Sequence, residues 1–189
     1  MVFEDDLKES LNILRQGGIL LYPTDTIWGL GCDPANESAV NRIFQLKSRG
    51  ENKSLIILAD SLSMVERYVT DIPDIVYELA EVSDTPLTII YPKGKNLAKG
   101  VCSEDGSVAI RLCKDEFCYE LIKRFRKPVI STSANLSGSP SPGNFSDIEK
   151  TLLSKVDYIV KFRQDDRSKN LASPVIKVNL DGTIKIIRK

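Results

Sequence analysis

Four polar segments carry the residues that could do chemistry. The first is Tyr22-Pro23-Thr24-Asp25-Thr26-Ile27-Trp28-Gly29-Leu30-Gly31, which leaves an apolar run and offers two hydroxyls and a carboxylate together. Hydroxyls at the end of a strand suit a small polar ligand, because open α/β sheets bind there. The same residues also make an ordinary capped turn. The second segment, Lys47-Ser48-Arg49-Gly50-Glu51-Asn52-Lys53, holds three cations within seven residues. Residues two apart do not share a helix face, so a helix stop at Gly50 lets Lys47 and Arg49 turn toward one point, where they suit a triphosphate. Cations at a helix C-terminus also complement its dipole, for about 0.3–1 kcal/mol each, and spacing does not separate the two readings. In the third segment, Ser107 to Leu112, alternation puts Ser107, Ala109 and Arg111 on one face and Val108, Ile110 and Leu112 on the other. The first set leaves room for an anion beside Arg111, or is a solvated sheet face. The fourth, from Ser131 to Ser146, is rich in Ser, Gly and Pro. It reads as a linker or a binding loop, and its place between a strand and a helix favours the loop.

Composition removes several classes of chemistry. The 189 residues contain no histidine, which excludes Ser-His-Asp and Cys-His catalysis and His-ligated zinc. There is no GxxxxGK[ST] motif, and Gly29-Leu30-Gly31 meets Pro34 where a dinucleotide fingerprint needs its third glycine. Lys plus Arg and Asp plus Glu both total 26, so a protein that coats nucleic acid by bulk charge is disfavoured. One dense basic cluster remains, Lys123-Arg124-Phe125-Arg126-Lys127, which reads as an RNA-phosphate contact or as a solvated helix end. Cys32, Cys102, Cys113 and Cys118 form no CxxC pair, so four reduced thiols and a cytoplasmic protein are expected. No stretch approaches the roughly 20 apolar residues of a membrane span.

The elements that must position these residues alternate in type. Phe3, Leu7, Leu11 and Leu14 fall at helical spacing and Gly17-Gly18 stops that helix. A strand follows at Ile19 to Tyr22. A second helix runs through Val40, Ile43, Phe44 and Lys47, with Asn36 or Ser38 as its cap. Strands are expected at 54–59, 86–92, 107–112, 127–132 and 156–161, with helices at 61–69, 73–82, 114–125 and 147–155. A C-terminal hairpin, 173–180 and 183–188, turns at Asp181-Gly182. Segments 23–36, 92–106 and 132–146 are expected to be long polar loops. Helical crossovers and a hairpin in one chain predict an α/β domain with a mixed sheet.

The segments YPTDTIWGLG at 22–31, KSRGENKSL at 47–55, SVAIR at 107–111 and STSANLSGSPSP at 131–142 occur in that order, followed by SPVIKV and IIRK. In these the chain resembles the YrdC/TsaC family, the threonylcarbamoyl-AMP synthases. The resemblance covers essentially the whole chain. It implies a single YrdC-like domain over 1–189, without the additional C-terminal domain of the longer branch, and a twisted mixed sheet flanked by helices with an open concave face. It also implies that L-threonine, bicarbonate and ATP give L-threonylcarbamoyladenylate and pyrophosphate, for N6-threonylcarbamoyladenosine in tRNA. By motif, Thr26, Arg111, Ser131 and Ser173 would hold threonine. Arg49, Lys53, Ser107, Ser133, Asn135, Ser141 and Arg188 would hold ATP, with Lys47 and Arg49 as the catalytic cations and Mg²⁺ carried on ATP. A threonylcarbamoyl-transferase complex would accept the product, and the basic surface could touch tRNA. Trp28, Gly50, Lys53, Ser54, Leu58 and Thr132 depart from residues usual in the family. The alternatives from other classes are a non-catalytic module that binds tRNA, double-stranded RNA or rRNA, and a carbamoyl-transfer domain of a larger enzyme.

Overall fold

The computed structural model describes residues 2–47, 55–168 and 170–189. The N-terminal helix α1, Val2–Arg15, buries Leu7, Leu11 and Leu14, and Gly17 follows at φ +76°, a left-handed stop that glycine adopts without a Cβ penalty. Strand β1 (Leu20–Tyr22) is followed by β2 (Gly29–Gly31) and by α2 (Glu37–Leu46). Of the two expected caps for α2, Asn36 is the one used: its side chain accepts the N–H of Ala39 at 3.0 Å. Then come β3 (Ile56–Ala59), α3 (Leu62–Glu66), α4 (Ile75–Val82), β4 (Thr88–Tyr91) and β5 (Val108–Leu112). Helix α5 (Glu116–Phe125) and strand β6 (Val129–Ser133) lead to a 3₁₀ turn at Phe145–Asp147. The chain closes with α6 (Lys150–Leu153), β7 (Tyr158–Ile159), β8 (Val175–Val178) and β9 (Ile184–Arg188).

Among the described residues the nine strands form one mixed sheet, in the order β7-β1-β2-β6-β3-β5-β4-β8-β9. The pairs β1/β7, β3/β5 and β4/β8 are parallel; the others are antiparallel. The expected mixed α/β architecture is therefore present. Register sorts the residues by face. Ile57, Ile110, Ile130 and Ile89 lie in one cross-strand row and are buried, while Leu58, Arg111 and Thr88 form a row on the opposite face. Helix α4 lies over Ile89 and Ile110 through Val76 and Leu79. Helices α1 and α5 pack together, with Phe3 edge-on to Phe117 and Phe162.

The structure departs from the sequence reading in three places. Segment 23–36 is not all loop, because Gly29–Gly31 forms β2, paired to both β1 and β6. Two glycines in three residues give no periodic signal, and the pairing partners supply the order that propensity withholds. The C-terminal hairpin turns through three residues, Leu180 to Gly182: Val178 still faces Ile184, Asn179 N–H bonds to Thr183 O at 3.0 Å, and Gly182 sits at φ +80°. A turn closed by a left-handed glycine in this way follows strand twist as the two-residue form does. The helices expected at 61–69 and 147–155 are shorter, at Leu62–Glu66 and Lys150–Leu153.

A buried carboxylate ties the ends of the chain together. Asp6 is 1% exposed and accepts the hydroxyl of Tyr158 at 2.6 Å and the backbone N–H groups of Lys161 and Phe162 at 3.0 and 2.7 Å. Asp6→Ala leaves these three donors without their acceptor and is expected to cost about 3 kcal/mol. Urea unfolding should show a lower midpoint with an unchanged slope; a midpoint equal to that of the parent protein would count against this role.

Candidate active site

The functional face is built around Arg111. Its guanidinium is 4% exposed and lies in the sheet face rather than at a free edge. Nη2 stands 2.9 Å from Asp25 Oδ1, Nη1 donates to Thr26 Oγ1 at 3.1 Å, and Nη2 reaches Thr24 Oγ1 at 3.5 Å. Nε is buried without a hydrogen-bond partner, and so is Asp25 Oδ1, whose contact with Arg111 is an ion pair not aligned as a hydrogen bond. Burial pushes the Asp25 carboxyl above the ordinary carboxylate range, and the Arg111 charge pulls against that rise.

The strand β1 and the turn after it bring these partners in. Tyr22 donates its hydroxyl to Ile130 O at 2.8 Å, and Cys118 Sγ–H bonds to Pro23 O at 3.2 Å. Thr24 Oγ1 accepts the N–H of Thr26 at 3.0 Å and donates to Ile27 O at 2.9 Å, so the turn carries its own hydrogen bonds. Gly29 then runs against β6, where a Cβ would meet Ser131 Oγ at 2.9 Å. At Gly31 a Cβ would meet the backbone oxygen of Ile130 at 2.7 Å, an approach that only glycine allows. Trp28 packs on Phe145 with ring centroids 4.9 Å apart, which fastens the Ser/Pro-rich segment to the same turn.

A polar cavity of about 180 Å³ opens over Arg111. Seven residues singled out in the sequence line it: Thr26, Arg111, Ser131, Ser133, Ser141, Ser173 and Arg188. They come from the turn after β1, from β5, β6 and β9, and from the segments that follow β6 and precede β8. Ser173 hydroxyl lies 2.7 Å from that of Thr88, and its carbonyl accepts both Nε and Nη2 of Arg188 at 3.1 and 2.7 Å. Ile27, Ile56, Thr132 and Ala172 complete the wall. Ile27 and Thr132 lie within the quoted motifs without having been assigned a contact, and Ile56 and Ala172 have no polar atom in the side chain that could have signalled them.

Two further expected residues sit beneath the cavity. Lys47 is fully buried, and its Nζ donates to Ser133 O, to Ser133 Oγ at 3.2 Å and to Asn135 Oδ1 at 3.0 Å. Asn135 Nδ2 in turn donates to Leu136 O at 3.1 Å and to Ser139 O. The fourth segment is therefore a folded loop anchored on Lys47, and the linker reading falls away. Ser107 is not brought to the cavity: its hydroxyl and its N–H both bond to Asp105 Oδ1 at the start of β5. Alternation placed Ser107 on the face of Arg111, but four residues of rise separate them along the strand. Arg49 and Lys53 lie outside the described residues.

The remaining candidates fit other roles. All four cysteines are free, and burial raises the Cys32, Cys102 and Cys118 thiols above their ordinary range, which removes these three as thiolate nucleophiles. In the basic cluster, Arg124 forks onto Glu4 at 2.8 and 3.0 Å, and Lys127 meets Asp33 at 2.6 Å. Among the described residues no helix is long and apolar enough to cross a membrane.

Comparison with known proteins bears on this geometry. The Sua5/YciO/YrdC family model, described as telomere recombination, matches residues 12–189. Threonylcarbamoyl-AMP synthase of Stenotrophomonas maltophilia (strain K279a) is 33% identical over 183 residues, covering 94% of this chain and 96% of that protein. The threonylcarbamoyl-AMP synthase of Pseudomonas aeruginosa (strain UCBPP-PA14) is 36% identical over 149 residues, 78% of this chain and 80% of its own. Among solved structures, P. abyssi Sua5 complexed with L-threonine superposes with a TM-score of 0.81 at 28% identity, over 91% of this chain and 50% of that one. This chain thus spans about half the length of that protein. E. coli YciO, at 23% identity and a TM-score of 0.80, covers 97% of this chain and 88% of its own, and shows the shared fold. With the family model matched over nearly its whole length, this chain belongs to the Sua5/YciO/YrdC family.

Proposed function

We propose that this protein is an L-threonylcarbamoyladenylate synthase, which joins L-threonine, bicarbonate and ATP and releases pyrophosphate, in the service of N6-threonylcarbamoyladenosine formation in tRNA. The observation that carries the reading is the buried Arg111 guanidinium at the floor of a hydroxyl-lined cavity, with an Nε–H that has no acceptor among the described residues. A buried donor of this kind is costly to leave unmade, and a planar carboxylate is the ligand its fork fits. A cavity of about 180 Å³ suits an amino acid better than a nucleotide, which supports a reading in which ATP lies across its open side.

In this reading Arg111 takes the carboxylate of threonine, while Thr26, Ser131 and Ser173 surround its amine and hydroxyl. Arg188, Ser133 and Ser141 face the nucleotide, with Asn135 supporting their loop. Arg49 and Lys53 complete the phosphate contacts, and Lys47 adds positive charge from below through Ser133. Ser107, bonded to Asp105 outside the amino-acid cavity, stays with the nucleotide contacts. The threonine amine is carboxylated, and a carbamate oxygen then attacks the α-phosphate as pyrophosphate leaves. The attacking atom belongs to the substrate, so no protein nucleophile is needed, and the contribution of the protein is positioning and charge neutralisation. Mg²⁺ arrives on ATP as part of that substrate. A separate threonylcarbamoyl transferase accepts the unstable adenylate. The RNA-binding alternative gains nothing from the basic cluster, whose Arg124 and Lys127 are paired with carboxylates.

Pyrophosphate release should require ATP, threonine and bicarbonate together, and its absence with all three present would refute the assignment. Arg111→Lys keeps the charge but loses the fork, and should cost about 2–3 kcal/mol in kcat/KM for threonine, roughly 30- to 150-fold. An ATP-binding affinity that stays near the parent value would place this loss on the amino acid; equal losses for both substrates would move Arg111 away from the threonine subsite.

A further inference from the structure

Thr88, the first residue of β4, is fully buried yet carries a hydroxyl. It stands opposite Arg111 in the β4–β5 register, and its N–H donates to Pro174 O at 3.0 Å. Its Oγ1 lies 2.7 Å from Ser173 Oγ, which is its hydrogen-bond partner among the described residues. Ser173, 2% exposed, is itself held from two sides. Its own carbonyl accepts Nε and Nη2 of Arg188, and the carbonyl that follows accepts the Thr88 N–H. What remains open is the side of Ser173 that lines the cavity over Arg111.

Distance alone lets either hydroxyl donate to the other. Burial decides between them. Each hydroxyl has one proton to give and two lone pairs to receive. If Ser173 donated to Thr88, the Thr88 proton would sit inside the sheet without an acceptor. Folded proteins avoid that arrangement, because a buried donor then loses its bond to water with no replacement. If Thr88 donates to Ser173, both protons are placed. Thr88 gives its own to Ser173, and Ser173 keeps a proton for the cavity, where solvent or a ligand accepts it. Thr88 thereby sets the polarity of Ser173 as well as the position of its oxygen.

We propose that Thr88 is a positioning residue that holds Ser173 as a hydrogen-bond donor, and that this donor selects an amino acid with a side-chain hydroxyl. The inference rests on the reading of this cavity as the threonine subsite. With the carboxylate on Arg111, threonine has two further polar groups. Its amine enters as an ammonium, which presents donors only. Its hydroxyl oxygen accepts. A fixed donor at Ser173 therefore fits the hydroxyl and turns away the ammonium. A site that bonds a substrate hydroxyl also rejects the analogue that lacks it, since the protein donor is then left unpaired. Thr88 touches no substrate in this arrangement and acts through Ser173.

Calorimetry on the full chain compares L-threonine with L-2-aminobutyrate, which has the same carbon skeleton and no hydroxyl. The parent protein should prefer threonine by about tenfold. Thr88→Val keeps the shape and removes the hydroxyl. It should weaken threonine about fivefold while 2-aminobutyrate and ATP stay near their parent affinities. Thr88→Ser, which returns the hydroxyl, should restore threonine binding, and Thr88→Ala repeats the comparison if the valine variant does not fold. Ser173→Ala should weaken threonine at least as much as Thr88→Val. The double variant should bind no more weakly than Ser173→Ala alone, because Thr88 acts only through Ser173. Equal losses for both amino acids, or losses that add in the double variant, overturn the positioning role. Unchanged threonine affinity in folded Thr88→Val does the same. A parent protein that binds the two amino acids equally overturns the selection by Ser173. A parent protein that binds neither overturns the synthase reading itself, and this inference with it.

Discussion

A guanidinium buried in a sheet is stable only when its charge is paired and most of its N–H groups have acceptors. Arg111 imposes that condition on the molecule. Asp25 supplies the charge and Thr26 and Thr24 supply oxygens, and all three reach it from the turn after β1. For the turn to arrive there, the chain must reverse after Tyr22 and run back as β2 between β1 and β6. The pairing of β2 with β6 brings Gly29 opposite Ser133 and close to Ser131, two hydroxyl residues that line the same cavity as Arg111. Among the described residues the Nε–H is left without a partner by this arrangement.

A second buried cation organises the other half of the site by the same rule. Lys47, fully enclosed, takes Ser133 and Asn135 as acceptors, and Asn135 then holds the carbonyls of Leu136 and Ser139. A segment whose composition suits a flexible linker is thereby given a fixed path. Basic residues at the surface behave differently: Arg42 with Asp157 and Arg124 with Glu4 are solvent-screened pairs that contribute little to stability. Zero net charge conceals this division between two buried cations and surface ion pairs. It also explains why histidine is dispensable, since a reaction whose nucleophile comes from the substrate asks for fixed charge and alignment.

Much of the fold was legible because its longer elements have clear periods. Phe3, Leu7, Leu11 and Leu14 marked α1, and alternation in Ser107 to Leu112 put Arg111 and Ile110 on opposite faces, as the register with β3 and β4 confirms. Strand β2 was missed because Gly29 and Gly31 have no side chains to alternate. The three-residue hairpin turn was misjudged because Asp181-Gly182 suits both forms, and only the register of β8 with β9 separates them. Ser107 shares a face with Arg111, but four residues of rise along the strand set it beside Asp105 rather than in the cavity over Arg111. Asp25 was noted as a carboxylate among hydroxyls, yet its attachment to Arg111 spans 86 positions of sequence and has no local trace.

Residue type and short-range spacing are local properties, and they determined here which groups are available, which face of an element each occupies, and that no histidine enters the chemistry. The family motifs added which residues belong to one site. Tertiary structure alone decided that Thr26, Arg111, Ser131, Ser173 and Arg188 share one cavity, that Lys47 is buried under Ser133, and that Asp25 pairs with Arg111. These facts depend on the register of strands distant in sequence. Register is settled by the simultaneous burial of apolar faces and pairing of buried charges across the whole sheet, and no single segment contains that information.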